Sequence, residues 1–456
     1  MTDSATSQPT VLARLNAPRD PAGLAMFRIL FGAVMMFSVL RFWVRGWIET
    51  LYLGPDYHFK YFGFEWVEVP APWALYLLFV VMLLAAFGIM IGWRARICAL
   101  IFAAVFTYVE LLDKTTYLNH YYFVSLASFL LALTPCDAAW SVSARLRGAS
   151  AQVPAWSYGI LRIQLAVVYC YAGFAKLNGD WLGAGMPLDI WLDAHSDAPL
   201  VGTLMGTHWF AMVMSWLGAG FDLTVPLFLS WRRTRPYAYA AAVGFHVSVW
   251  LLFPIGVFSW VMLSAITIFA PPDWPRRFVP RRWREPCPDG PVRGRVASLG
   301  AVLMAIYLAI QLLVPLRFLC YPGHVNWTEQ GFRFSWRVML IEKVGHLEFR
   351  VHTDRGSYRV LPRRELTPLQ YKMMATQADM IQEYALHVAR RYRALGHADV
   401  RVFADSYISF NGRPSRQFID PSVDLAATRP GFAHKDWILP LHRHSAAGYA
   451  ARGTPP

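Results

Sequence analysis

Charge is scarce in this 456-residue chain: 16% of residues are Asp, Glu, Lys or Arg, against 56% hydrophobic and 15% aromatic. Soluble globular domains carry about 25% charged residues, so the deficit excludes an ordinary soluble enzyme of this length. Cysteine is scarcer still. Cys98, Cys136, Cys170, Cys287 and Cys320 show no CxxC spacing and mostly fall in or beside apolar runs, so neither a disulfide framework nor a zinc site is expected. GxGxxG, P-loop and HExxH patterns are missing, which removes the nucleotide and metal readings that rest on them. Residues 1–21 are polar and lack a short apolar core with a small-residue cleavage site, so no cleaved signal peptide is expected. Acidic residues number 29 against 43 basic, for a net charge of +14. The arginines cluster in short segments between apolar runs, as cytoplasmic membrane loops do, and no nucleic-acid partner is expected.

What the chain has in quantity is long apolar runs. Mean hydropathy is +0.32, and a hydrocarbon core about 30 Å thick takes roughly 20 apolar residues per helical crossing. Such runs cover residues 24–43, 73–92, 97–112, 123–134, 158–177, 209–231, 237–269 and 298–318. The run 237–269 is long enough to turn back at Phe253-Pro254-Ile255-Gly256, giving about nine spans, and the shortest of them need tilt or burial among neighbours. Arginine-rich loops follow alternate spans: Arg94 and Arg96, Arg145 and Arg147, Arg232, Arg233 and Arg235, then Arg276 through Arg295. Arg41 and Arg45 break this pattern locally. The asymmetry puts the N-terminus in the cytoplasm and everything after Phe318 outside.

From Cys320 onward the hydropathy drops and a small α+β domain is expected. Strands are expected over 334–341, 347–351, 357–361, 400–410 and 416–419, and one helix from the Thr367-Pro368 cap through about Leu395. A loose tail is expected from His442.

Polar groups within or at the edge of spans are costly, which makes each a functional candidate. Asn119, His120, Lys176 and His246 stand out, and the topology brings all four toward the outer side. Each also has a plain alternative. Lys176 at a span end fits snorkelling to headgroups, His120 fits an inert loop histidine, and His246 fits an interhelical hydrogen bond.

The segments Asp113-Lys114-Thr115…Asn119-His120, Ala172-Gly173…Lys176-Leu177…Asp180-Trp181 and Phe245-His246…Ile255-Gly256-Val257-Phe258-Ser259-Trp260 resemble, in order and spacing, segments of the vitamin K-dependent γ-glutamyl carboxylases. Trp327-Thr328-Glu329-Gln330-Gly331-Phe332-Arg333-Phe334-Ser335-Trp336 resembles the family's glutamate-binding segment. The resemblance implies that Lys176 is the base that deprotonates reduced vitamin K, that His120 and Asn119 lie at the reaction centre, and that His246 is a second family histidine. It implies substrate binding by Trp327, Phe332, Phe334, Ser335 and Trp336. Tyr117, Ala172 and Gly173 are expected at the cofactor, the two small residues letting a flat quinol ring approach the helix. Glu329, Gln330 and Arg333 depart from the animal enzymes, and the chain stops short of their longer extramembrane region, which grips a propeptide.

The expected fold is a polytopic α-helical membrane bundle with a C-terminal extracytoplasmic α+β domain. Its expected parts are a cytoplasmic segment 1–22, a transmembrane catalytic domain 23–318, the outer domain 319–441 and a tail 442–456. The expected activity is oxidation of reduced vitamin K (phylloquinol or menaquinol) by O₂ to its epoxide, coupled to carboxylation of glutamate side chains by CO₂, without a metal. The expected partners are the lipid bilayer, the quinol and a glutamate-containing peptide or protein, and the expected location is the bacterial inner membrane. Two rivals are quinol epoxidation without carboxylation and a non-catalytic transporter or scaffold reusing the fold.

Overall fold

The structure, a computed structural model, describes residues 10–147, 151–199, 201–280 and 292–441; Arg281, Arg282, Arg284, Cys287 and the expected tail lie outside the described residues. The chain forms two units, Met1–Pro315 with Phe334–Met339, and Leu316–Arg333 with Leu340–Pro456.

The main helices of the first unit are α1 (Ala22–Val44), α2 (Pro72–Ile91), α3 (Ala95–Leu112), α4 (Asn119–Leu133), α5 (Trp156–Lys176), α6 (His208–Ser230), α7 (Arg235–Leu252), α8 (Phe258–Ile266) and α9 (Ser298–Leu313). Among the described residues six are long and apolar enough to cross a membrane: α1, α2, α3, α5, α6 and α9 with its continuation to Cys320. The other three, α4, α7 and α8, are shorter or less apolar, so length and composition alone do not confirm the expected count of nine. The expected break between α7 and α8 is present, with Gly256 at φ +65° in the left-handed region that suits glycine.

Helices approach closely where side chains vanish. A Cβ on Gly32 of α1 would stand 2.6 Å from the backbone nitrogen of Met90 in α2. Arg28, fully buried in α1, has a structural duty: its guanidinium donates to the carbonyls of Ile89 (2.6 Å), Met90 (2.7 Å), Cys136 (3.0 Å) and Trp140 (2.7 Å). It thereby caps the C-terminus of α2, where unpaired carbonyls favour a cation. Leu299, Val302, Leu303, Ile306, Ile310 and Leu313 of α9 are exposed, a face suited to lipid.

The second unit holds an antiparallel sheet in the order β2-β1-β3-β4, from β1 (Lys343–Thr353), β2 (Gly356–Val360), β3 (Arg401–Phe410) and β4 (Arg416–Gln417). Leu347, Phe349 and Val351 alternate inward on β1, as a half-buried strand requires. Phe349 stacks on Tyr384 of α11 at 5.9 Å, where the helices are α10 (Pro368–Met374) and α11 (Ala378–Ala394). Thr367 and Gln370 form a full capping box at the start of α10.

Two expectations are corrected. The single helix from Thr367 to Leu395 is interrupted between Met374 and Ala378. The expected strand 334–341 is a chain of turns, because Phe334, Trp336 and Met339 take φ values of +62°, +57° and +54°, which an extended strand does not admit.

Candidate functional site

Lys176, the last residue of α5, does not snorkel. Its Nζ lies 2.7 Å from Oδ2 of Asp222 on α6, and the two residues are each 5% exposed. The turn after α5 folds back to cover the pair: Asn178 Oδ1 accepts from the backbone N–H groups of Asp180 (3.0 Å) and Trp181 (3.1 Å). This puts the Trp181 ring 5.2 Å from Nζ, and the Trp181 indole donates to the Ser215 carbonyl at 2.8 Å. Pro226, one turn beyond Asp222, has no N–H to offer the Asp222 carbonyl. An amine so placed has a carboxylate ready to stabilise the ammonium formed when it accepts a proton.

Gly173 plays a different part from the one expected of it. The space its Cβ would need is taken by Leu223, whose Cγ would be 2.7 Å and backbone nitrogen 2.9 Å away, so its smallness serves α5–α6 contact rather than approach of a ring. Ala172 is likewise buried. Leu223 adjoins Asp222, so Gly173→Ala is expected to push Asp222 off Lys176. A displacement of about 1 Å costs about 10²-fold in rate; wild-type turnover by this variant, measured as epoxide formation, would disprove the link.

His246 on α7 is fully buried, with Nε2 2.7 Å from the Tyr169 hydroxyl of α5 and Nδ1 buried without a partner. Phe221, Phe245 and Phe258 surround it. His120, in the first turn of α4, faces the other neighbour of that cage: its ring is 5.6 Å from Phe258, which is 5.8 Å from His246. The two histidines therefore flank one phenylalanine, although 126 residues separate them in sequence by subtraction of their numbers.

Asn119 holds a loop. Its Nδ2 donates to the Arg337 carbonyl at 3.1 Å, and its Oδ1 accepts from the Tyr117 hydroxyl, which in turn accepts from Phe334 N–H at 2.8 Å. Phe334 packs edge-on against Tyr117 and Tyr122, Trp336 stacks on Tyr122 at 4.8 Å, and Ser335 is buried between them in sequence. Burial of the Arg337 guanidinium lowers its pKa to about 10. Three left-handed residues in this loop cost about 1–3 kcal/mol each, so the clamp must offset strain. Asn119→Ala is expected to raise proteolysis and hydrogen exchange across 334–339 selectively, by about tenfold; unchanged protection there would mean that other contacts hold the loop.

The expected substrate segment is thus split. Trp327 and Phe332 belong to the second unit, and Trp327 is core: it is 1% exposed, donates to the Leu439 carbonyl at 2.7 Å and packs on Phe410 and Phe418. The residues that depart from the animal pattern are engaged inside that unit. Glu329 pairs with Lys343 at 2.6 Å, Gln330 accepts from Lys435 N–H at 2.9 Å, and Arg333 pairs with Asp379 at 2.7 Å. Burial pulls the Lys343 pKa down, with Glu329 opposing.

Sequence reasoning missed Asp222 and Tyr169. Asp222 had a usable signal, being an acidic residue inside an otherwise apolar span; Tyr169 had none. Among the described residues no group of His, Cys, Asp and Glu is arranged to hold a metal ion.

Comparison with known families matches residues 16–274 to the family described as HTTM domain, and residues 296–444 to the family described as vitamin K-dependent gamma-carboxylase, lumenal domain. No solved structure matches the chain.

Proposed function

From the premise that this chain belongs to the vitamin K-dependent gamma-carboxylase family, by its HTTM domain and its lumenal domain, we propose that it is a membrane carboxy-lyase coupled to quinol epoxidation. The acceptor is a glutamate side chain, and the co-substrates are a reduced naphthoquinone, O₂ and CO₂. The observation that carries this reading is the buried pair of Lys176 and Asp222, an ionisable couple set among aromatic rings where a soluble, hydrated base would have no reason to be.

The residues present fit a naphthoquinol. Lys176 supplies the proton acceptor, Asp222 holds the resulting ammonium, and His246 offers an unpartnered buried nitrogen among the rings of Phe221, Phe245 and Phe258. When bound, the quinol supplies the oxygen-derived strong base that removes a γ-proton from glutamate. The protein's own work is to take the quinol proton onto Lys176 Nζ, to keep water out, and to present the acceptor near His120. A dry site is needed because water would quench so strong a base. In this reading the N-terminus is cytoplasmic, α4, α7 and α8 complete nine crossings in a bacterial inner membrane, residues 23–318 form the catalytic domain, and 319–441 form the outer domain.

The internal engagement of Glu329, Gln330 and Arg333 favours one rival, epoxidation without carboxylation. Purified protein given reduced vitamin K, labelled bicarbonate and a glutamyl peptide separates the two. Epoxide and fixed label together support the proposal; epoxide alone supports the rival, and neither product rejects both.

A further inference from the structure

Arg41 is one of the two arginines, with Arg45, that break the charge pattern of the sequence, and its surroundings explain why it is there. It lies in the last turn of α1, yet unlike the exposed Arg45 it turns inward. Its guanidinium lies 5.0 Å from the Trp47 ring centroid, and its charge acts on both the Tyr121 hydroxyl and the His120 ring. Gly256 makes room for it: a Cβ there would stand 2.9 Å from Nη2 and 3.2 Å from Nη1. Its Nε is buried and has no partner.

A guanidinium packed on an aromatic ring and a glycine, with its buried Nε donor unused, has recognition capacity left. The Nε edge presents two parallel N–H donors in the fork that fits a carboxylate, a geometry that a lysine cannot supply. We infer that Arg41, beside His120 and Tyr121, binds a carboxylate-type oxyanion at the reaction centre, either the side chain of the glutamate acceptor or bicarbonate. This rests on the carboxylase reading above and extends it by placing acceptor recognition at the end of α1. Lys176 and Asp222 already satisfy each other, whereas the buried Nε of Arg41 is unused.

The test uses full-length protein in detergent, comparing wild type with Arg41→Met and Arg41→Lys. The expected result for Arg41→Met is a rise of about tenfold or more in KM for a glutamyl peptide or for bicarbonate, with KM for reduced vitamin K changed by less than about twofold. The substrate whose KM rises identifies the oxyanion. Arg41→Lys keeps the charge and loses the fork, so it should fall between, and it serves if the methionine variant does not fold. Unchanged KM for both oxyanions, or a rise for the quinol alone, overturns the inference. If wild type fixes no label, the carboxylase reading fails instead, and equilibrium dialysis of the glutamyl peptide and of labelled bicarbonate reads the site by itself. Tighter binding of either one to wild type than to Arg41→Met then supports the inference; equal binding of both, or none, rejects it.

Discussion

Asp222→Leu is expected to abolish epoxide formation as thoroughly as Lys176→Met, each single change lowering the rate by roughly 10²–10⁴-fold. The two side chains form one buried unit at 2.7 Å, and removing either member disables it. Their effects should therefore not add: the double variant is expected to be no slower than the worse single one. Stability should behave differently. Breaking a buried ion pair leaves one charge uncompensated, at about 3–5 kcal/mol, whereas two apolar side chains of similar volume restore much of the loss. The double variant should then melt well above either single variant while remaining inactive. Epoxide chromatography and thermal unfolding in detergent give both axes of this cycle. Wild-type epoxidation by Asp222→Leu would reduce the aspartate to a structural counter-ion; wild-type epoxidation by Lys176→Met would remove the lysine from the chemistry altogether.

His120→Ala is expected to lose CO₂ fixation by about 10²-fold or more while epoxide formation falls far less. The structure gives this split a spatial basis. Lys176 is bonded to Asp222 and covered by Trp181, whereas His120 contacts Tyr121 and Phe258 and feels the charge of Arg41. In the proposed reaction, proton removal from the quinol would need only the first group, and carboxylation would also need the glutamate held beside the second, with its carbanion kept from reprotonation. Fixed label and epoxide are measured in the same reaction, so their ratio is insensitive to the amount of folded protein. A proportional loss of both would place His120 with the quinol-oxidising residues.

The spans were legible because hydropathy is a sum over local residues: α1, α2, α3, α5, α6 and α9 coincide with runs that any membrane-length window finds. The break at 253–256 was legible for a similar reason, since proline and glycine punctuate a helix locally, and so was the Thr367 cap. The candidate lysine and histidines were legible as polar exceptions in apolar surroundings. Tyr169 was not, because a tyrosine in an aromatic-rich span carries no contrast until His246 is placed against its hydroxyl.

What the sequence by itself determined is thus the membrane class, most helix positions and the residue types available for chemistry, since each depends on transfer free energies and backbone preferences of neighbours in the chain. Only the tertiary structure decided which of those residues meet. Lys176 and Asp222 are 46 positions apart, and whether they meet depends on how α5 and α6 are rotated about their axes, which Gly173 and Leu223 fix by contact. The same holds for Arg41, which reads as a misplaced surface charge along the chain and becomes an inward-facing cation only when Gly256 and Tyr121 arrive beside it. The loop 334–339 completes the contrast: its aromatic alternation favours a strand locally, and the bonds from Tyr117 and Asn119 to its backbone hold it in turns instead.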